Sequence, residues 1–157
     1  MLLCENIRDA LAILPNEYYK LILVLTQLDD KAEVVEKISN KYAYDVLNVN
    51  LRLSEKLISV PISERCIYVD EYFKKLLNNY KTDVIVLNNI EMLFEPHLKV
   101  DPLRLLKSAS RYRKIIAIWT GDYTDGVLTY AEPSHPEYRR YKNDDLDFIM
   151  IRSNCMK

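Results

Sequence analysis

Four residues with usable chemistry stand where hydrophobic runs give out. Lys31 follows "KLILVLTQLDD", Asn88 and Glu91 follow "DVIVL", and Thr120 follows "KIIAIW". An ammonium, a carboxamide, a carboxylate and a hydroxyl at strand ends are the groups an open α/β sheet presents to a ligand, because such sheets bind at the carboxyl ends of their strands. The chemistry suggested is that of a phosphate ester: a cation for its oxygens, an oxygen ligand for Mg²⁺, and a carboxylate to act on water.

The phosphate-loop pattern G-x-x-x-x-G-K-[ST] tests that suggestion. Laid in register, the chain reads Leu25-Thr26-Gln27-Leu28-Asp29-Asp30-Lys31-Ala32. Lys31 falls on the lysine, but Leu25 and Asp30 replace the glycines and Ala32 replaces the Mg²⁺-binding hydroxyl. Glycine is used there because positive φ lets successive N–H groups converge on an anion. A leucine or aspartate forced to positive φ costs about 1 kcal/mol or more, so this turn is expected to fold another way. Asp29 and Asp30 also put negative charge beside any phosphate, at about 4 kcal/mol per pair for a ~4 Å separation and an effective dielectric of 20. Their carboxylates are expected to satisfy the N–H groups at the helix start. A well-capped strand-to-helix turn with no relation to nucleotides remains an open reading of this segment.

The second half of such a site is altered in the same direction. Where an aspartate would hold Mg²⁺-bound water, Asn88 keeps the size but lacks the charge that a hard cation wants. Glu91 is the nearest acid and the one candidate catalytic base. Thr120 stands where a polar residue of AAA-type ATPases senses the γ-phosphate, or is simply a strand end before a glycine turn.

Two further clusters mix cations with aromatic rings. "SRYRK" supplies Arg111, Arg113 and Lys114 at a helix C-terminus, where the macrodipole favours them. "HPEYRRYK" supplies Tyr138, Arg139, Arg140 and Tyr141. Either could serve as a protein interface anchored by Tyr and Arg, or as a nucleic-acid grip. Asp144, Asp145 and Asp147 follow at once and cancel the field of the second cluster.

These residues need elements to position them. The spacing predicts a helix over 3–14 stopped by Pro15, a strand over 20–24, and a helix over 29–42 with Val35, Ile38 and Tyr42 inward. A strand is predicted over 44–49, then a short helix capped by Asn50 that uses Leu53, Leu57 and Ile58 and ends before Pro61. A longer helix from Ser63 would bury Ile67, Tyr72, Phe73, Leu76, Leu77 and Tyr80. Strands follow over 83–87 and 114–119, with Asp101 and Pro102 opening a helix between them. "GVLTYA" and "LDFIMI" add two more strands. Solid apolar strands alternating with helices give an α/β sandwich with a mostly parallel central sheet flanked by helices.

The whole chain narrows the class further. Its 157 residues predict one domain, 1–157. A net charge of −1 leaves no bulk field to draw it to nucleic acid or a membrane. Three scattered cysteines (Cys4, Cys66, Cys155) fit free thiols in a reducing cytoplasm. Neither His97 nor His135 has ligand-like spacing to a cysteine, so no metal site is expected. No apolar run approaches the ~20 residues of a membrane span, and no signal peptide is expected, since Glu5, Arg8 and Asp9 interrupt the early apolar stretch.

Longer strings carry a more specific likeness. "NIEMLFEPHLKVDPLRLL", "IAIWTG" and "LTYAEPSHPEYRRY" resemble the BrxF-like small P-loop proteins of type III BREX phage-defence systems, over roughly residues 15–142. The resemblance implies a P-loop NTPase-like fold of the AAA/RecA type. Family members carry a glycine-rich loop and an aspartate where Asn88 stands, and this chain departs at both. Lys31, Asn88 and Thr120 would therefore be a degenerate nucleotide site with both Walker motifs eroded. The resemblance implies a cytoplasmic protein, and the loss of both half-sites from that scaffold makes an adaptor or regulator that does not hydrolyse nucleotide the expectation. Its partners would be a larger ATPase, an adenine methyltransferase, a phosphatase-like component or its own copies, with no membrane. Two alternatives stay open: an ATP- and Mg²⁺-using NTPase completed by a partner, and a DNA-binding module.

Overall fold

A computed structural model describes residues 2–130 and 139–153. The apolar runs become the middle of a parallel sheet. β1 (Leu21–Thr26) is buried along its whole length, and β3 (Val84–Asn88) is buried up to Leu87. β4 (Lys114–Thr124) lies between them, pairing in parallel with both. β2 (Asp45–Asn48) adds to the far side of β3, and β7 (Ile149–Arg152) to the far side of β1. The parallel order is therefore β2-β3-β4-β1-β7.

Among the described residues, five α-helices cover the sheet. α1 (Leu2–Ile13) and α2 (Lys31–Tyr42) bury Leu3, Ile7, Val34 and Ile38 with Ile22, Val24 and Ile116. α3 (Val49–Leu57), α4 (Arg65–Asn78) and α5 (Pro102–Ser110) bury their apolar sides with Leu21, Leu23, Leu25 and Ile115. Because alternate residues of β1 divide between the two clusters, the clusters are the two faces of one sheet. The predicted α/β layering with a mostly parallel sheet is what forms.

The connections leave the sheet on both faces. From β1 the chain crosses on the α2 face to reach β2. After β4 it continues on the opposite face, where β5 (Val127–Tyr130) and β6 (Arg139–Lys142) contribute Leu128, Tyr130 and Tyr141 to the α3–α5 core. Adjacent strands whose onward connections leave to opposite faces form a switch point, the place where open α/β sheets bind ligands. Here the carboxyl ends of the two parallel-paired segments are Thr26 and Thr120, which are register partners.

Several elements depart from expectation. β4 does not stop at Trp119 before a glycine turn. It runs on to Thr124, and Gly121 lies within it, paired with Tyr130. A Cβ on Gly121 would collide with the Thr129 carbonyl oxygen and the Trp119 indole, so the glycine permits close strand approach. The turn falls at Asp125 and Gly126, with φ of 54° and 77°. Both central residues are left-handed, as a two-residue hairpin requires. Residues 139–142, read only as a charged cluster, are strand β6.

The helices are also phased differently. Asn48, not Asn50, caps α3, accepting from the Leu51 N–H at 3.1 Å. Val34 joins Ile38 in the core, while Val35 and Tyr42 are only partly buried. Ile58 and Ile67 are 78% and 68% exposed. The phase of α4 is set by Val69, Phe73, Leu76 and Leu77, and two residues back from Val69 turns Ile67 about 200° away.

Candidate functional site

The turn after β1 contains no left-handed residue: among described non-glycine residues, positive φ occurs only at Ala43, Asn89, Lys99 and Asp125. Leu28–Asp30 instead form a single 3-10 turn that leads directly into α2. Its N–H groups follow a right-handed path rather than curving around a common point. Asp30 occupies the α2 N-cap position but makes no side-chain capping bond, contrary to the expectation that the acids would satisfy the helix start. Its ψ of −7° keeps it in the helical region, away from the extended backbone from which a cap side chain reaches the N2 and N3 donors.

Lys31 opens α2 and reaches across the sheet end. Its Nζ donates to Asn89 Oδ1 at 2.6 Å and lies 3.5 Å from Glu91 Oε1. Its side chain is 14% exposed, so the pair with Glu91 is largely screened from water. Glu91 heads the 3-10 helix Glu91–Phe94 that follows β3. Its Oε1 also accepts from Asn50 Nδ2 at 3.1 Å, while Oε2 is buried without a hydrogen-bond partner.

Asn50, in the first turn of α3, completes the network. Its backbone N–H donates to the Asn89 carbonyl at 2.8 Å, and its Oδ1 accepts from the Met92 N–H at 2.7 Å. Asn89 adopts φ of 53°, which asparagine tolerates better than most residues. That backbone turn lets β3 hand its amide and the following Glu91 to the same spot. Asn88 does not join them: its Oδ1 accepts from the Asn89 N–H at 2.9 Å. Thr120 sits in β4 at the same sheet end, opposite Thr26.

Sequence reasoning thus names Lys31 and Glu91, which the structure brings together, and misses Asn50 and Asn89, which hold them. The adjacent asparagines at 88 and 89 carried a signal, since asparagine after a buried strand often marks a left-handed residue. Nothing in the local pattern distinguishes Asn50 from a helix cap. For a triphosphate to use Lys31, it would have to displace Asn89 and Glu91 and lie against the Glu91 carboxylate. Among the described residues, no group of three or more His, Cys, Asp or Glu could hold a metal ion.

The charged clusters separate. Arg113 is turned inward, donating to the carbonyls of Leu77 and Thr82 at 2.8 Å and to that of Tyr80, so it binds the end of α4 to β4. Arg111 is exposed and lies over tyrosine rings. Tyr141 is buried, and its hydroxyl donates to Asp101 Oδ1 at 2.8 Å. Burial, then the Asp101 bond, pushes the Tyr141 phenol well above the usual tyrosine range. Asp101 in turn caps α5 at the Leu103 and Arg104 N–H groups. Arg139 is half-buried and Arg140 exposed on β6; Tyr138 lies outside the described residues.

No protein-family model, curated protein or solved structure matches the chain. Among the described residues, no helix is long and apolar enough to cross a membrane.

Proposed function

We propose that this protein is a P-loop-derived scaffold that no longer hydrolyses nucleotide, and that it acts as an adaptor or regulator in a BREX-type phage-defence complex. Its partners would be the larger ATPase, the methyltransferase or the phosphatase-like component of that system. The observation that carries the reading is the Lys31 network. The lysine expected to meet phosphate is held by Asn89 and Glu91, beside a turn with no left-handed residue. The order of parts supports descent from a nucleotide-binding sheet. The lysine follows β1, the asparagine ends β3, and Thr120 lies on the strand between them, around one switch point. The BREX assignment rests on the likeness of the long strings in the second half of the chain.

Calorimetric titration with Mg-ATP tests this. No saturable heat is expected, whereas micromolar binding abolished by Lys31→Ala would overturn the reading. A second reading, an NTPase completed by a partner, is favoured by one observation: Glu91 Oε2 is buried with no protein donor. It predicts turnover on mixing with the cognate ATPase, lost in Glu91→Gln. Turnover unchanged by that substitution would exclude Glu91 as its base.

A further inference from the structure

Among the described residues, Arg111 is the exposed arginine of the predicted clusters whose guanidinium is held in place without being neutralised. It follows the last turn of α5, with its central carbon 4.8 Å from the Tyr18 ring centroid and 5.3 Å from that of Tyr112. Both rings face water, Tyr18 being 62% and Tyr112 83% exposed. Tyr18 is itself steadied by an edge-to-face contact with Tyr19 at 4.7 Å. Two rings beside the guanidinium restrict its motion and leave its N–H donors available. Arg111 has no carboxylate partner among the described residues.

The ground on either side is shaped. A hollow of about 290 Å³ includes Arg104, Lys107, Ser108 and Arg111. A second, of about 350 Å³, has Leu77, Ala109 and Tyr112 on its wall beside Ser108, with Lys74, Asn78 and Arg113 at its polar side. Arg111 and Tyr112 therefore form a ridge between a polar hollow and a more apolar one, joined at Ser108.

We infer that this ridge is a docking surface for an extended protein segment, one that offers a carboxylate to Arg111 and an apolar side chain to the Leu77–Ala109 hollow. Charge decides between protein and nucleic acid. Asp101 and Asp145 line the same hollow as Arg104 and Arg111 and offset their charge, and Lys107 is already paired with Asp147 at 2.6 Å. A strand of repeating phosphates would meet those carboxylates, whereas a segment with a single acid and apolar neighbours would not. Exposed tyrosine and arginine are also the side chains that concentrate binding energy at protein interfaces. The inference rests on the adaptor reading and names the surface through which it would act. Nucleotide titration tests that reading separately.

The probe is a short fluorescein-labelled peptide with one central glutamate between leucines, followed by anisotropy with the full chain. A glutamine–leucine peptide and an oligothymidylate of similar length serve as comparisons. Saturable binding of the acidic peptide is expected, weakened about tenfold in Arg111→Gln and in Tyr112→Ala and unchanged in Lys56→Gln on α3. Both ridge variants should melt with the parent, since these side chains are exposed. The inference is overturned by absence of binding up to about 1 mM peptide, by equal binding of the glutamine peptide, or by indifference to the ridge substitutions. Tighter binding of oligothymidylate through the same two residues would also overturn it, assigning the surface to nucleic acid.

Discussion

A lysine serving phosphate and a lysine serving its own protein behave differently when removed. A lysine kept for a ligand is repelled or idle in the free protein, so truncating it leaves stability unchanged or improved. Lys31 already has Asn89 and Glu91. Lys31→Ala would leave the Glu91 carboxylate part-buried with only Asn50 to bind it, at a cost of about 2–3 kcal/mol. Urea unfolding of the variant measures this, and a neutral or stabilising result would show that Lys31 is held for something absent. Tyr141 makes a second test at this scale. Its folded pKa lies above its unfolded value near 10, so its contribution is fully present below that pH and is lost as pH rises through the folded value. Thermal melts of Tyr141→Phe should therefore show less alkaline loss than the parent. At neutral pH the variant should be weaker by about 1–2 kcal/mol, having lost the bond to Asp101.

Elements depend on a few backbone positions that no packing argument replaces. The β4–β5 hairpin closes through Asp125 and Gly126, both left-handed. Gly126→Ala should cost about 1 kcal/mol through backbone strain. Its new Cβ would also stand 3.1 Å from Asn143 Oδ1. The loss would appear in a chemical denaturation midpoint, and an unchanged midpoint would mean that the hairpin contributes nothing to the cooperative fold. Gly121 is different in kind: its φ is ordinary, but it lies against the Thr129 carbonyl and the Trp119 indole. Gly121→Ala should be the more damaging of the two, since the obstacle is partly backbone and cannot rotate aside. Asp101 joins elements in a further way, capping α5 while accepting from Tyr141 of β6.

For the whole molecule, the question is whether a nucleotide adds stability. A ligand at 100 times its Kd would add about 2.7 kcal/mol and raise the melting temperature by several degrees. Millimolar Mg-ATP is expected to leave the melting curve of this protein unmoved, as a carboxylate at the candidate site repels the triphosphate. A clear upward shift, removed by Lys31→Ala, would point to a nucleotide site that rearranges on binding. The sheet itself is well insulated from such changes. β1 is buried on both faces, and Trp119 is enclosed by Phe94, Tyr130 and Tyr141.

The sequence by itself determined the layered α/β class, the places of β1, β3 and the start of β4, and the absence of glycine from the turn before Lys31. Those follow from local facts: continuous apolar runs must be buried on both faces, and leucine or aspartate resists positive φ. It also put Lys31 and Glu91 forward as chemical groups. Tertiary structure alone decided that they meet. The meeting depends on Asn89 turning left-handed and on Asn50 arriving from the next crossover, contacts between residues about forty to sixty positions apart. It decided too that Arg113 faces inward while Arg111 faces water, although they stand two residues apart in one charged run. Side-chain direction there is set by where α4 and β4 pack. Local spacing fixes the period of an element, but only its neighbours fix which way that element faces.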